Sequence, residues 1–203
     1  MLVRLLYVTG DPGKIDDAIS AVTKKGRELL GEQPGYHGVV VLADRELGKL
    51  VVGSFWESEQ LARASDEALR EQRTQLVTPF AVSQSVELYE VLTVHQARRP
   101  EAGAATRLLR LEFDPATTDQ FTEAFRGITG KLDPVPGFCR AVQFVDRQRG
   151  RAVIALTYAD RAALAASRSA AAGLRAEVNQ KAQAVATRSL EELDLILFDA
   201  PPS

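Results

Sequence analysis

Cysteine, tryptophan and methionine each occur once in these 203 residues, and histidine twice. The single thiol, Cys139, excludes an internal disulfide, and together with His37 and His95 it is too small a set of soft ligands for a closed zinc site. Neither sign of charge is in excess: 25 Lys and Arg stand against 27 Asp and Glu, a net −2. The chain therefore has no electrostatic footprint for nucleic acid or for an anionic membrane surface. Long apolar runs are missing as well. None approaches the roughly 20 residues of a transmembrane helix, and Met1-Leu2-Val3-Arg4 lacks the basic start and apolar core of a signal peptide. These absences lead us to expect a cytoplasmic protein in a reducing compartment, with no nucleic-acid or membrane partner and no metal site. The remainder is ordinary globular material, 45% apolar, long enough for one domain or two small ones.

What the chain does contain is a repeat. Pro34-Gly35-Tyr36 opens the apolar run Val39 to Leu42, Asp44 to Lys49 reads as a polar hairpin turn, and Leu50 to Trp56 is a second strand. Pro136-Gly137-Phe138, the turn from Asp146 to Gly150 and the strand from Val153 to Tyr158 repeat that order. Pro34 and Pro136, Asp44 and Asp146, Gly48 and Gly150, and Trp56 and Tyr158 are each 102 positions apart. Earlier in each half the spacing is 103, as in Arg4 with Arg107 and Asp11 with Asp114. An internal duplication with one inserted residue accounts for both values.

In chain order, Leu2 to Thr9 reads as a strand, and Asp11-Pro12 suits a helix start, with Asp as cap and Pro at the first helical position. The pair Gly13-Lys14 is not a phosphate loop, because Val8 and Ile15 stand where that motif needs Gly and Ser or Thr. A helix to Gly31, the hairpin, a helix over 58–75 and a strand over 86–94 complete a β-α-β-β-α-β order, the ferredoxin-like unit. The segment 96–105, with Pro100 and Gly103, reads as a linker. The second half follows the same order, with an Ala-rich helix over 160–186 interrupted at Gly173 and a closing strand over 190–198. The expected domains are 1–95 and 106–203 joined by 96–105. The expected class is α+β, with two tandem ferredoxin-like repeats packing sheet to sheet as a pseudo-dimeric α/β barrel. A folded monomer equivalent to a dimer, or a homodimer of it, is the expected assembly.

The Pro-Gly-Tyr turn, the Asp44 to Lys49 hairpin and the strand end Phe55-Trp56-Glu57-Ser58-Glu59-Gln60 resemble the antibiotic biosynthesis monooxygenase family of the dimeric α/β-barrel superfamily. The resemblance is closer over 1–95 than over 105–200. It implies a small apolar or aromatic ligand held between sheet and helices, and no cofactor. The alternative it implies is a cofactor-independent monooxygenase acting on an aromatic polyketide-like phenol. Such oxygenases resemble this chain at Trp56, whose indole can stack on an aromatic and donate one N–H. They also use an Asn four residues before that Trp and a Tyr six after it, where this chain has Val52 and Ala62. The haem-degrading branch needs a helix Trp and an iron-ligating His, where this chain has Ala62 and Gln72.

No catalytic residue is assigned. The ligand-binding candidates are Trp56 and its counterpart Tyr158 at the strand ends, His37 after the Pro-Gly-Tyr turn, and Tyr7 on the first strand. Each also has a plain structural role open to it: barrel-closing packing for Trp56, Tyr158 and Tyr7, and a strand-start position for His37, whose repeat counterpart is Cys139. Arg4 and Arg107 are expected to pair with carboxylates at the sheet end.

Overall fold

The computed structural model describes residues 1–182 and 185–201. The first half runs β1 (Leu2–Gly10), α1 (Ile15–Ala21), a π-helical segment (Val22–Gly26), α2 (Arg27–Gly31), β2 (Tyr36–Asp44), β3 (Lys49–Trp56), α3 (Glu59–Ala68), α4 (Arg70–Val77) and β4 (Ala81–Gln96). The second runs β5 (Ala105–Glu112), α5 (Thr118–Thr129), β6 (Phe138–Asp146), β7 (Arg151–Tyr158), α6 (Arg161–Ala166), α7 (Arg168–Ala182) and β8 (Ala186–Asp199). Two compact units result. One comprises Met1–Tyr89 with the chain from Leu195; the other is Glu90–Asp194. Hydrogen-bonded strand order is β4-β1-β3-β2-β8 in the first and β8-β5-β7-β6-β4 in the second, so β4 and β8 each lend one segment to each unit. The expected class, α+β with tandem ferredoxin-like repeats, is the one observed.

Local chemistry explains why the two halves repeat. The Asp11 carboxylate accepts the Gly13 N–H at 2.9 Å, and that of Asp114 accepts the Ala116 N–H at 3.0 Å. The hairpins are held by Asp44, which accepts the N–H groups of Glu46 and Leu47, and by Asp146, which accepts those of Gln148 and Arg149. Gly48 and Gly150 close these turns at φ +59°, and a Cβ at Gly150 would lie 2.0 Å from the Phe113 carbonyl oxygen. Only glycine meets both conditions. Ser58 and Asp160 cap the helices that follow, accepting the N–H groups of Leu61 and Ala163.

The change of offset from 103 to 102 has a structural cause. Between its Asp cap and its Pro-Gly turn the first half carries one residue more than the second. A π-turn is what one extra residue makes of an α-helix, and the first half has one at Val22–Gly26 where α5 is regular. Three other expectations need correction. The helix expected over 58–75 breaks at Leu69, whose φ of −101° and ψ of 7° lie outside the helical range. Gly173 does not interrupt α7, because its missing Cβ faces open space and its backbone is helical; the break falls at Ser167 instead. Finally, β4 begins at Ala81, and β8 begins at Ala186, which the helix expected over 160–186 had included; Ser83 to Ser85 and Thr187 to Ser189 have no apolar alternation to mark a strand and are held in one by pairing with a neighbouring strand.

Each unit packs its helices on one sheet face. In the first, Leu6, Val8, Val41, Leu50 and Val52 meet Ile15, Ile19, Val22 and Val77. In the second, Leu109, Ile154 and Leu156 meet Phe121, Phe125, Ile128 and Val178. The other sheet face is apolar too, with Val3, Leu5, Val51 and Phe55 all buried. No helix among the described residues is long and apolar enough to cross a membrane.

Candidate functional site

Between sheet and helices of the first unit lies a cavity of about 60 Å³. Leu6 and Val52 form its sheet wall, Val22 and Gly26 bring the π-segment to its edge, and Leu69 and Leu76 close it from α3 and α4. Its polar lining is Arg4, Ser54 and Arg73. The second unit has a cavity of about 50 Å³ at the equivalent place, with Leu109, Ile154, Phe121, Phe125, Arg107 and Arg175 on its walls. Phe125 stands where the first half has Val22, so the second cavity is the more filled. A single water needs roughly 10 to 15 Å³ of such space, so each cavity has room for a small organic guest.

The arginines recur with the repeat. Arg4 is buried; its guanidinium donates to the Ala62 carbonyl at 3.0 Å and lies 3.6 Å from Asp66. Arg73 also pairs with Asp66, so two cations share one carboxylate. The Arg73 Nε is buried with no hydrogen-bond partner among the described residues. Burial pushes the Arg4 guanidinium down to about 10, with Asp66 opposing the shift and Arg73 adding to it; Arg4 stays charged at neutral pH. In the second unit Arg107 donates to the Leu164 carbonyl at 2.8 Å, to Ser167 at 3.0 Å and to Glu192 at 2.8 Å. Hydrogen bonding from Arg168, then from Arg107, holds the Glu192 carboxyl down at about 2 against the cost of its burial. Ala62 and Leu164, and Ser65 and Ser167, are 102 apart, so the second unit repeats the first unit's helix contacts to its buried arginine.

The sequence-derived candidates lie around these cavities rather than on their walls. Trp56 is fully buried; its indole N–H donates to Ser54 Oγ at 2.9 Å, and the Arg4 guanidinium sits 4.8 Å from its ring centre. It thus supports two of the three polar residues that line the first cavity. Tyr158 repeats only the contact with the arginine, 5.9 Å from ring centre to the Arg107 guanidinium; Leu156 stands where the first half has Ser54, and the buried Tyr158 hydroxyl has no hydrogen-bond partner among the described residues. Tyr7 is half-buried and alternates with Leu6 and Val8 onto the sheet face away from the helices. His37 is exposed, at the register irregularity between Tyr36 and Gly38, whereas its counterpart Cys139 is buried. Trp56 and Tyr158 are brought to equivalent places in the two units; His37 and Tyr7 are not brought to the first cavity. The helix arginines were missed, although Arg73 and Arg175 are themselves 102 apart. Tyr36 was missed as well: it meets Trp56 edge-on at 5.8 Å, and burial, followed by Asp199, pushes its hydroxyl up to about 12. Among the described residues no three His, Cys, Asp or Glu side chains converge as metal ligands.

No protein-family model matches the chain. The uncharacterized protein Rv2558 of Mycobacterium tuberculosis is 30% identical over 174 residues, which cover 85% of this chain and 74% of that protein. The chain belongs to the family of Rv2558. A second relative in that organism, the uncharacterized protein Rv2557, is 30% identical over 145 residues, 71% of this chain; the match spans 65% of that relative's own length, short of two thirds. Among solved structures, that of an anthrone oxidase-like protein superposes with a TM-score of 0.72 at 13% identity, over 97% of this chain and 91% of the other. A Listeria monocytogenes ferredoxin-fold protein related to antibiotic biosynthesis monooxygenases gives a TM-score of 0.56 at 8% identity, over 97% and 96%. At these identities the likeness is one of fold: this Rv2558-family member has the ferredoxin-like fold of the antibiotic biosynthesis monooxygenase-related proteins.

Proposed function

We propose that the chain binds a small apolar molecule between the sheet and helices of its first unit, as a binding protein without chemistry of its own. The observation that carries this is the cavity of about 60 Å³ walled by Leu6, Val22, Val52, Leu69 and Leu76 and broken by three polar side chains only. Cavities with such aliphatic walls take apolar guests. The π-segment supports the same site, since such bulges are frequent where a helix serves a ligand, and here Val22 and Gly26 stand on the cavity wall. Trp56 contributes from beneath, through Arg4 and Ser54.

The fold likeness to an anthrone oxidase-like protein favours the second reading, a cofactor-independent oxygenase on a phenol. That reading asks for a hydrogen-bonding side chain at position 52, and Val52 places a hydrocarbon wall there. Titration with toluene and 1-hexanol, followed by the emission of Trp56 and by thermal shift, tests the binding role. Saturable binding that Val52→Phe abolishes by filling the cavity is the expected result. Absence of saturation by either readout defeats the proposal, and oxygen uptake with a phenolic polycyclic substrate would replace it with the oxygenase reading.

A further inference from the structure

The polar end of the first cavity is more specific than its walls. Arg4 and Arg73 both line it and both lean on one carboxylate, Asp66, leaving one positive charge uncompensated within the group. Ser54, the remaining polar lining residue, is occupied by the Trp56 N–H and by the Arg4 carbonyl. The Arg73 Nε is buried and has no acceptor among the described residues. A buried N–H of a cation without an acceptor costs a large part of its hydration, and an anionic oxygen restores it. In the second unit two arginines, Arg107 and Arg175, also lie on the wall of its cavity.

We propose that the ligand of the first cavity is a small amphipathic carboxylate, with an aliphatic tail among Leu6, Val52, Leu69 and Leu76 and its carboxylate on Arg73 and Arg4. This rests on the cavity being a ligand site at all. One excess charge matches a monoanion, and a planar carboxylate suits the guanidinium fork. A phosphate would bring a second charge and more bulk into a space of about 60 Å³.

Hexanoate and 1-hexanol, equal in chain length and different in charge, separate the two claims. Trp56 is the only tryptophan and touches Arg4 and Ser54, so its emission reports this cavity and not the second. Hexanoate is expected to bind about tenfold more tightly than hexanol, the size of a hydrogen bond to a charged group. In Arg73→Gln the ratio falls to near one, and in Arg73→Lys it is partly retained; thermal unfolding of each variant confirms that it is folded. Equal affinities in the wild type, or a ratio unchanged in Arg73→Gln, overturn the carboxylate assignment and leave the cavity as a site for neutral guests. Binding of neither ligand overturns both.

Discussion

Replacing Glu192 by glutamine removes the counter-charge of Arg107, a guanidinium only 2% exposed, while keeping the side chain's shape. Two estimates give the size of the effect. Removing one partner of a buried ion pair costs about 3 to 5 kcal/mol. The fall of the Glu192 carboxyl from 4.5 to about 2, caused first by the hydrogen bond from Arg168 and then by that from Arg107, corresponds to about 3 kcal/mol at full weight for the two partners together. Its outer partner Arg168 is exposed, and solvent screening on that side lowers the expectation to about 2 kcal/mol. Because the folded carboxyl titrates below its unfolded value, this stabilisation is complete above about pH 5 and is lost as the pH falls through about 2. Urea unfolding of wild type and Glu192→Gln, followed by far-UV circular dichroism at pH 7 and pH 3, measures it. The gap at pH 3 should be less than half that at pH 7. A gap under about 0.5 kcal/mol at pH 7, or one independent of pH, refutes the assignment of Glu192 as the counter-ion of the Arg107–Arg168 pair.

One substitution and one deletion probe the first unit. Trp56→Phe loses the hydrogen bond to Ser54 and the cation–π contact with Arg4, and should lower stability by about 2 kcal/mol in chemical denaturation. It should also weaken the ligand response of the first cavity, read by methyl NMR shifts at Val52 and Leu76; full affinity in a folded variant would show that Trp56 gives the site no support. Deletion of Lys24, exposed on the π-segment, should restore a regular helix like α5. Leu29 and Leu30, both on the cavity wall, would keep their phase against α1, while the wall at Val22 and Gly26 would lose its bulge. Unchanged binding after that deletion would separate the bulge from the site.

The turns and caps were legible because they depend on a few neighbouring residues: the Asp44 and Asp146 hairpins, Gly48 and Gly150, and the Asp11 and Asp114 caps sit where the sequence places them. The strand extensions were not, since Ser83 to Ser85 and Thr187 to Ser189 gain their structure from strand pairing rather than from a pattern of their own. The offset change of one residue was visible, but nothing local says where in the helix an extra residue will be absorbed. The candidate site was half legible. Arg4 and Arg107 do pair with carboxylates, Asp66 and Glu192, yet Asp66 lies on a helix, where only the packing of α3 over β1 brings it to the strand. Trp56 was found by its strand-end position, and its burial beneath Arg4, one layer from the cavity, follows from the chain turning at Glu57 into α3.

The central claim is that the first unit holds an accessible, largely apolar cavity between sheet and helices. Crystals held under xenon pressure test it most directly, because xenon enters apolar space. Density for xenon between Leu6, Val52 and Leu76, absent from Val52→Phe crystals treated alike, is the predicted result. Ordered waters filling the space between those three side chains, with no xenon, would contradict it.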